Sequence, residues 1–164
     1  MAQVTGFDYL KAFDVAAVQV IEEVVGEAPI KGPPIAQFGS SMKLHAVNVQ
    51  IGIAGSLSGH FRLSMDDETA RALAGVMLGE EVAQLDEMSL SALSELGNMI
   101  AGNARTALNE TGGVSDITPP SILQAEGAKE TWYNLNALSV PLTLPFGTIH
   151  LAVGIRPATA PRRS

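Results

Sequence analysis

The chain has 164 residues, a formal net charge of −7, a sequence pI of about 4.8 and no cysteine. A length this close to ~150 residues predicts one domain that buries roughly 70 % of its unfolded surface, enough for a core without disulfide or metal support. The missing cysteines exclude a disulfide scaffold, a thiolate zinc site and a cysteine nucleophile, and the acidic balance disfavours nucleic acid or anionic membranes as partners.

The first residues carry Asp8, Lys11 and Asp14, which fits neither a signal peptide nor a transit peptide. No stretch approaches the ~18 uncharged apolar residues of a membrane span. We therefore expect a cytoplasmic protein with no membrane contact.

The first third of the chain predicts a helix followed by a break. Apolar residues from Phe7 to Val24 recur at three- and four-residue spacing, which indicates an amphipathic helix that ends at Gly26. The prolines between Pro29 and Pro34 prevent a helix and favour irregular chain or an edge strand.

A hairpin and a short helix are expected next. Val47, Val49, Ile51 and Ile53 alternate with small or polar residues, which predicts a half-buried strand, and residues 61–65 continue the pattern as its hairpin partner. Asp66 is then expected to cap a short helix that runs through Leu78 and ends at Gly79.

The second half of the chain predicts one long helix and three strands. The helix is expected from about Asp86 to Glu110, ended by Thr111-Gly112-Gly113, and the strands over Ile117–Leu123, Leu135–Leu144 and Thr148–Ile155. This order, α-β-β-α-α-β-β-β, predicts an α+β fold with a mostly antiparallel sheet packed with helices. We expect one domain over residues 1–156 and a frayed C-terminal tail over 157–164.

The long helix carries the most information about function. At about 100° per residue, with Glu95 at zero, its apolar residues fall between about 100° and 180° and predict the core-facing stripe. That stripe is Leu93, Leu96, Ile100, Ala104 and Ala107. Glu95 and Asn98 stand three residues apart on the opposite, water-facing side together with Ser91 and Gly102.

Two glycines in this helix are unfavourable for helix stability. Gly97 and Gly102 each cost about 1 kcal/mol relative to alanine. Gly97 lies on the core side and is explained by close packing against a neighbour, whereas Gly102 lies on the wet face, where a partner approaching the backbone would require it. Residues that are unfavourable for the local secondary structure often occur at functional sites.

An exposed glutamate and asparagine are more often only solubilising, and E-x-x-N alone is a weak motif. The longer string is more specific: Ser91, Glu95 and Asn98 are followed by Met99-Ile100-Ala101-Gly102-Asn103-Ala104, with Pro119-Pro120 further on. This string resembles the CheC/CheX/FliY family of response-regulator phosphatases, and the resemblance extends over roughly residues 7 to 155. Because only one E-x-x-N occurs, the chain is most similar to the single-site CheX branch.

The resemblance implies an enzyme that hydrolyses the aspartyl phosphate of a phosphorylated CheY-like receiver domain. Asn98 and Glu95 would be the catalytic pair: the Asn98 carboxamide would orient the attacking water, and Glu95 would pair with a lysine of the receiver. The receiver would supply the Mg²⁺, so the resemblance implies no cofactor and no metal in this chain. Members of the CheX branch dimerise through their sheets, which implies a homodimer.

Around the catalytic pair, we expect Ser91, Met88, Met99 and Gly102 to contact the receiver. Pro119 and Pro120 are both candidates for the family's proline. The two methionines form either an adaptable apolar rim or a surface covered by the neighbouring helix.

Two alternatives belong to other functional classes. One is a non-catalytic CheX-like binding module that docks on a receiver or flagellar switch protein. The other is a structural partner that uses a shared sheet edge. Dephosphorylation of the receiver would distinguish the enzyme from both.

Overall fold

The computed structural model describes residues 6–38, 41–55, 57–110, 115–132 and 136–157. Its helices are α1 (Gly6–Val25), α2 (Asp67–Leu78) and α3 (Glu87–Glu110). The strands in the described ranges are β1 (Ile30–Lys31), β2 (Ile35–Phe38), β3 (Ser41–Lys43), β4 (Val47–Gly55), β5 (Leu57–Met65), β6 (Ser115–Ile117), β7 (Ser121–Leu123), β8 (Lys129–Thr131), β9 (Asn136–Leu144) and β10 (Gly147–Pro157).

The main sheet is antiparallel at every described pairing and runs in the order β1-β9-β10-β5-β4-β6. Strand β2 also pairs with β9, and β7 also pairs with β4, so two short strands share each edge. The predicted α+β class with a mostly antiparallel sheet is confirmed.

All three helices contact the core side of this sheet or one another, with α1 packed on α3 and α3 packed on β4. The apolar face predicted for β4 and β5 is confirmed, because Val49, Ile51, Phe61 and Leu63 are buried. The expectation of half-buried strands was wrong, because Arg62 on the other face is also buried, beneath Met42 of β3. In the sheet, Phe61 of β5 pairs with Ile51 of β4 on one side and with Val153 of β10 on the other. Because successive side chains of a strand point to opposite faces, the sheet presents one continuous apolar face to the helices.

Helix ends follow the sequence signals. Asp66 accepts a hydrogen bond from the Thr69 backbone N–H at 2.7 Å and so caps α2, as predicted. Gly79 ends α2 with a φ of 72°, and Gly26 follows α1 with a φ of 85°, both in the left-handed region that favours glycine.

A two-stranded arm, β3 paired with β8, is separate from the main sheet. Met42 of β3 and Trp132, next to β8, form a small buried cluster with Ala137 and Ala152 of the main sheet. Because Ala152 alternates with the core residues Leu151 and Val153, the arm packs on the sheet face that points away from the helices.

The strand prediction was wrong in two respects. Strands β2, β3 and β8 were not expected; they are only three or four residues long and are defined by their partners rather than by their own periodicity. The single strand expected over Ile117–Leu123 is two short strands, because Pro119 and Pro120 cannot donate to a strand ladder.

Several predicted boundaries lie outside the described residues. These are the helix stop at 111–113, Leu135 and positions 158–164 of the expected tail. Pro157, placed in the frayed tail by the sequence, is instead the last residue of β10 and pairs with Leu57.

Candidate functional site

The candidate site lies on α3, whose first turn is fixed by a reciprocal pair of hydrogen bonds. The Asp86 backbone N–H donates to Ser89 Oγ at 2.7 Å, and the Ser89 backbone N–H donates to Asp86 Oδ1 at 2.8 Å. The backbone N–H of Ser89, with its hydroxyl, lowers the pKa of Asp86. Two orphan donors at the helix start are therefore satisfied, and the start of α3 is well defined.

Gly97 determines how closely α3 approaches the sheet. It is buried, and a β-carbon at this position would lie 2.8 Å from Val49 Cγ1 and 3.7 Å from Ile51 Cδ1. Leu96 and Ile100, on either side of Gly97, are fully buried. The packing explanation for Gly97 is confirmed, because only a residue without a side chain fits against β4 here.

Glu95 and Asn98 are both exposed, as predicted. Neither side chain has a hydrogen-bond or ion-pair partner within the part of the chain that the structure describes. An unpaired carboxylate that accepts hydrogen bonds and an unpaired carboxamide that both donates and accepts them, three residues apart on one helix, can bind an incoming molecule. With Ser91 and Gly102 they form a stripe, here called the Glu95–Asn98 face.

The other predicted contact residues on α3 differ in accessibility. Ser91 is exposed, and Met88 is 62 % exposed, so neither is covered by a neighbouring helix. Met99 is half-buried and packs against the core, which leaves only part of its side chain at the surface. At Gly102, a β-carbon would meet no atom within 4 Å, so the absence of a side chain has no internal packing reason.

Pro119 and Pro120 lie in the connection between β6 and β7, two strands that both contact α3. Thr118, just before them, is anchored on β4: its backbone N–H donates to Gly52 O at 3.0 Å, and its Oγ1 accepts from the Gly52 N–H at 2.8 Å. Pro119 is exposed and Pro120 is partly buried. The connection is thereby held beside α3, and the structure gives no reason to prefer one proline over the other.

The core stripe of α3 was predicted with one error. Leu93, Leu96, Ile100 and Ala104 are buried, but Ala107 is exposed. Ala107 borders an open groove of about 260 Å³ between α1 and α3, which Lys11 and Val15 of α1 also line. The two helices leave this end of α3 uncovered, and Leu108 is buried instead.

The segment that leads up to Glu95 is rich in acidic residues. Residues 66 to 95 contain eight acids and a single base, Arg71. Asp66 and Asp86 cap helices, and Asp67 pairs with Arg71 at 2.8 Å. Glu95 and the exposed acids at 68, 80, 81 and 87 are the acids of this segment that can attract a cation.

Sequence reasoning missed the polar cluster on the opposite sheet face. Arg62 is 3 % exposed, pairs with the Glu130 carboxylate and lies 4.9 Å from the Trp132 ring centroid. His45 and His150 stack with centroids 4.3 Å apart. The polar alternation of β5 was visible in the sequence, but these pairings depend on strand register and on the β3–β8 arm.

No three His, Asp or Glu side chains converge in a metal-binding arrangement among the residues that the structure describes. In the same ranges, no helix combines the length and apolarity that crossing a bilayer requires.

Comparison with known proteins places this geometry in a family context. The family model described as chemotaxis phosphatase CheX matches residues 47–143, which include the Glu95–Asn98 face. The CheY-P phosphatase CheX of Thermotoga maritima is 34 % identical over 143 residues, covering 82 % of this chain and 88 % of that protein.

Solved structures show the same similarity. A chemotaxis protein CheX from Desulfovibrio desulfuricans superposes with a TM-score of 0.80 at 25 % identity, over 90 % of this chain and 99 % of that one. A chain of the CheX-CheY-BeF3-Mg²⁺ complex from Borrelia burgdorferi gives a TM-score of 0.78 at 35 % identity, over 90 % and 97 %.

Proposed function

The chain belongs to the CheX family of chemotaxis phosphatases, and from this premise we propose that it hydrolyses the aspartyl phosphate of a CheY-like response-regulator receiver domain. The observation that carries the proposal is the exposed, unpaired Glu95–Asn98 pair on a helix fixed by its cap and by Gly97. A rigid helix that presents two free polar groups suits a reaction that depends on positioning.

Asn98 is proposed to orient the attacking water. A neutral carboxamide has both a donor and an acceptor, so it can hold a water molecule in line with phosphorus. A carboxylate at this position would add negative charge next to a phosphoryl group and oppose its approach. Phosphoryl transfer is accelerated mainly by such positioning, with little covalent chemistry from the protein.

Glu95 is proposed to pair with a lysine in the receiver's active site. Its carboxylate is exposed and has no partner in the described part of the chain, so pairing breaks no existing contact. A charge-assisted bond across the interface would fix the register in which Asn98 enters the receiver. The exposed acids at 68, 80, 81 and 87 would favour approach of a cationic surface.

The remaining contacts follow from accessibility. Met88 offers exposed apolar surface, and Gly102 lets a receiver loop lie against the helix backbone. Ser91 would add a hydrogen bond one turn before Glu95, and Met99 would contribute through its exposed part. Pro119 and Pro120 would border the site from the β6–β7 connection.

The proposed reaction needs no cofactor in this chain. The Borrelia burgdorferi complex contains CheX, CheY, BeF3 and Mg²⁺ together. We assign the Mg²⁺ to the receiver, where it would neutralise charge on the phosphoryl group.

A homodimer and a cytoplasmic location are part of the same proposal. Strands β1 and β2 occupy one edge of the main sheet, and Ile30 and Ile35 there are 73 % and 56 % exposed. Exposed apolar side chains on a sheet edge suit pairing with a second copy.

The test is the decay of a phosphorylated receiver with and without the protein. We expect the wild-type protein and Asn103→Ala to accelerate decay and Asn98→Ala to lose the acceleration. Asn103 is the matched control because it is exposed on the same helix but lies outside the Glu95–Asn98 face. Receiver binding with unchanged decay would instead identify a non-catalytic binding module.

A further inference from the structure

A second candidate binding site lies on the other side of the sheet from the helices. A cavity of about 150 Å³ opens there between the main sheet and the β3–β8 arm. The polar residues that line it include Ser41, Lys43, His45, Arg62, Ser139 and His150. We propose that this cavity binds a small tetrahedral oxyanion of the phosphate class.

The side of the sheet is set by strand alternation. Arg62 lies between Phe61 and Leu63, which are both buried against the helices, so its side chain points to the opposite face. His150 precedes the core residue Leu151 in the same way. The cavity is therefore separate from the Glu95–Asn98 face, and the proposal does not depend on the phosphatase activity.

Arg62 is the strongest single indication of a ligand. It is 3 % exposed, yet its Nε has no hydrogen-bond partner in the described part of the chain. Arg62 Nη1 donates a hydrogen bond to the Glu130 carboxylate, and Met42 Sδ lies 3.8 Å from Nη2. The Trp132 ring centroid lies 4.9 Å from the guanidinium carbon. The Nε atom itself is enclosed, whereas Nη2 has only a thioether, a weak acceptor, so a bound oxyanion would give Nη2 a charge-assisted hydrogen bond.

The charges in the cavity wall are positive. Arg62 and Lys43 are the charged residues of the described lining; Asp66 and Glu126 act on His45 from outside the lining, and Glu130, also outside it, pairs with Arg62 and offsets its charge. Burial, followed by the charges of Arg62 and Lys43, lowers the pKa of His45. Burial, followed by His45, lowers the pKa of His150. A lowered pKa favours the neutral imidazole, which offers one N–H donor.

Donors converge on the cavity from several elements. Ser41 and Lys43 come from β3, His45 from the loop before β4, Arg62 from β5, Ser139 from β9 and His150 from β10. The two oxygens of a planar carboxylate can both be bound by donors on one side, as by a single guanidinium. Donors that come from both the main sheet and the arm match an anion whose oxygens point in different directions. This arrangement favours a tetrahedral anion over a carboxylate.

The experiment follows the imidazole NMR signals of the full chain during titration with inorganic phosphate at constant ionic strength. The chain has three histidines, and His60 lines a different cavity, so it is the internal reference. We expect saturable shifts of His45 and His150 with phosphate, a weaker response to acetate and none to chloride. Glycerol phosphate is a further arm: tighter binding than phosphate identifies a phosphorylated small molecule as the ligand, and weaker binding identifies free phosphate.

Two lysine variants provide a matched pair. Lys43 and Lys129 lie opposite each other in the β3–β8 arm and are both exposed, but only Lys43 is among the residues that line the cavity. We expect Lys43→Gln to weaken phosphate binding about fivefold and Lys129→Gln to leave it unchanged. Non-saturable shifts, an equal response of His60, or equal weakening by both variants would overturn the proposal.

Discussion

Gly97 of α3 and Val49 of β4 meet so closely that a β-carbon on the glycine would lie 2.8 Å from Val49 Cγ1. Gly97 lies between Glu95 and Asn98 in the sequence, so this contact sets how far both exposed side chains stand above the sheet. Gly97 lowers the helix propensity of α3, but its missing side chain is what lets α3 pack directly against β4.

Gly97→Ala is therefore expected to destabilise the protein despite its better helix propensity. Overpacking against a stiff valine costs about 1–3 kcal/mol, while the propensity gain returns only about 1 kcal/mol. Urea unfolding measures the net loss, which we expect to be about 1 kcal/mol. Gly102→Ala is the control: because its β-carbon meets no atom within 4 Å, the propensity gain should stabilise the protein by about 1 kcal/mol. Equal effects of the two variants would refute the packing role of Gly97.

The stacked histidines predict a pH dependence of stability. Burial lowers the pKa of His45 and His150, with further lowering by Arg62 and Lys43 at His45 and by His45 at His150, against opposing effects of Asp66 and Glu126. As the pH falls, these two histidines are therefore protonated at a higher pH in the unfolded chain than in the folded protein. The stabilising contribution is complete above the ordinary histidine pKa of about 6.5 and is lost as the pH falls through that value toward the folded pKa.

Urea unfolding at about pH 7.5 and about pH 5 checks this linkage. We expect the wild-type protein to lose more stability between the two than the double variant His45→Gln/His150→Gln. Identical losses of stability in both proteins would contradict the linkage to His45 and His150. His60 remains in both proteins, so its own contribution cancels in the comparison.

The elements with strong periodicity were predictable from the sequence. Period-two alternation located β4, β5 and β10, and three- and four-residue spacing located α1 and α3. These long segments carry their apolar residues mainly on one face, so their own residues record which face packs in the core. The exposure of Glu95 and Asn98 followed from the same helical geometry.

Features that depend on distant partners were not predictable. Strands β2, β3 and β8 exist through pairing with β9 or with each other, and Ala107 is exposed because α1 leaves a groove beside it. The Arg62–Glu130–Trp132 cluster joins residues nearly 70 positions apart. Local sequence contains no information on register of this kind.

Glu95 is expected to govern docking more than stability. Glu95→Gln removes the charge proposed to meet the receiver's lysine, and we expect receiver affinity to fall about tenfold, with a weaker dependence on salt. Isothermal titration at two ionic strengths measures both effects. Glu110→Gln removes an exposed acid from the far end of the same helix and should change neither. An equal loss in the two variants would assign the effect to net charge alone.

The proposed homodimer predicts a particle mass twice the 17.1 kDa of one chain in sedimentation experiments. Ile30→Lys/Ile35→Lys places two charges on the exposed edge of the main sheet and should shift the equilibrium toward monomer. Val76→Lys, at an exposed apolar position on α2, should leave the dimer intact. A wild-type protein that stays monomeric at all concentrations would contradict the proposal.

The most direct test of the central claim separates receiver binding from receiver dephosphorylation in Asn98→Ala. The phosphorylated receiver is mixed with saturating protein, so that the observed decay reports the bound complex alone. If Asn98 positions the water, the variant should bind within about threefold of wild type but lose about a hundredfold or more of the rate acceleration. Decay in the saturated variant complex as fast as in the wild-type complex would contradict the account.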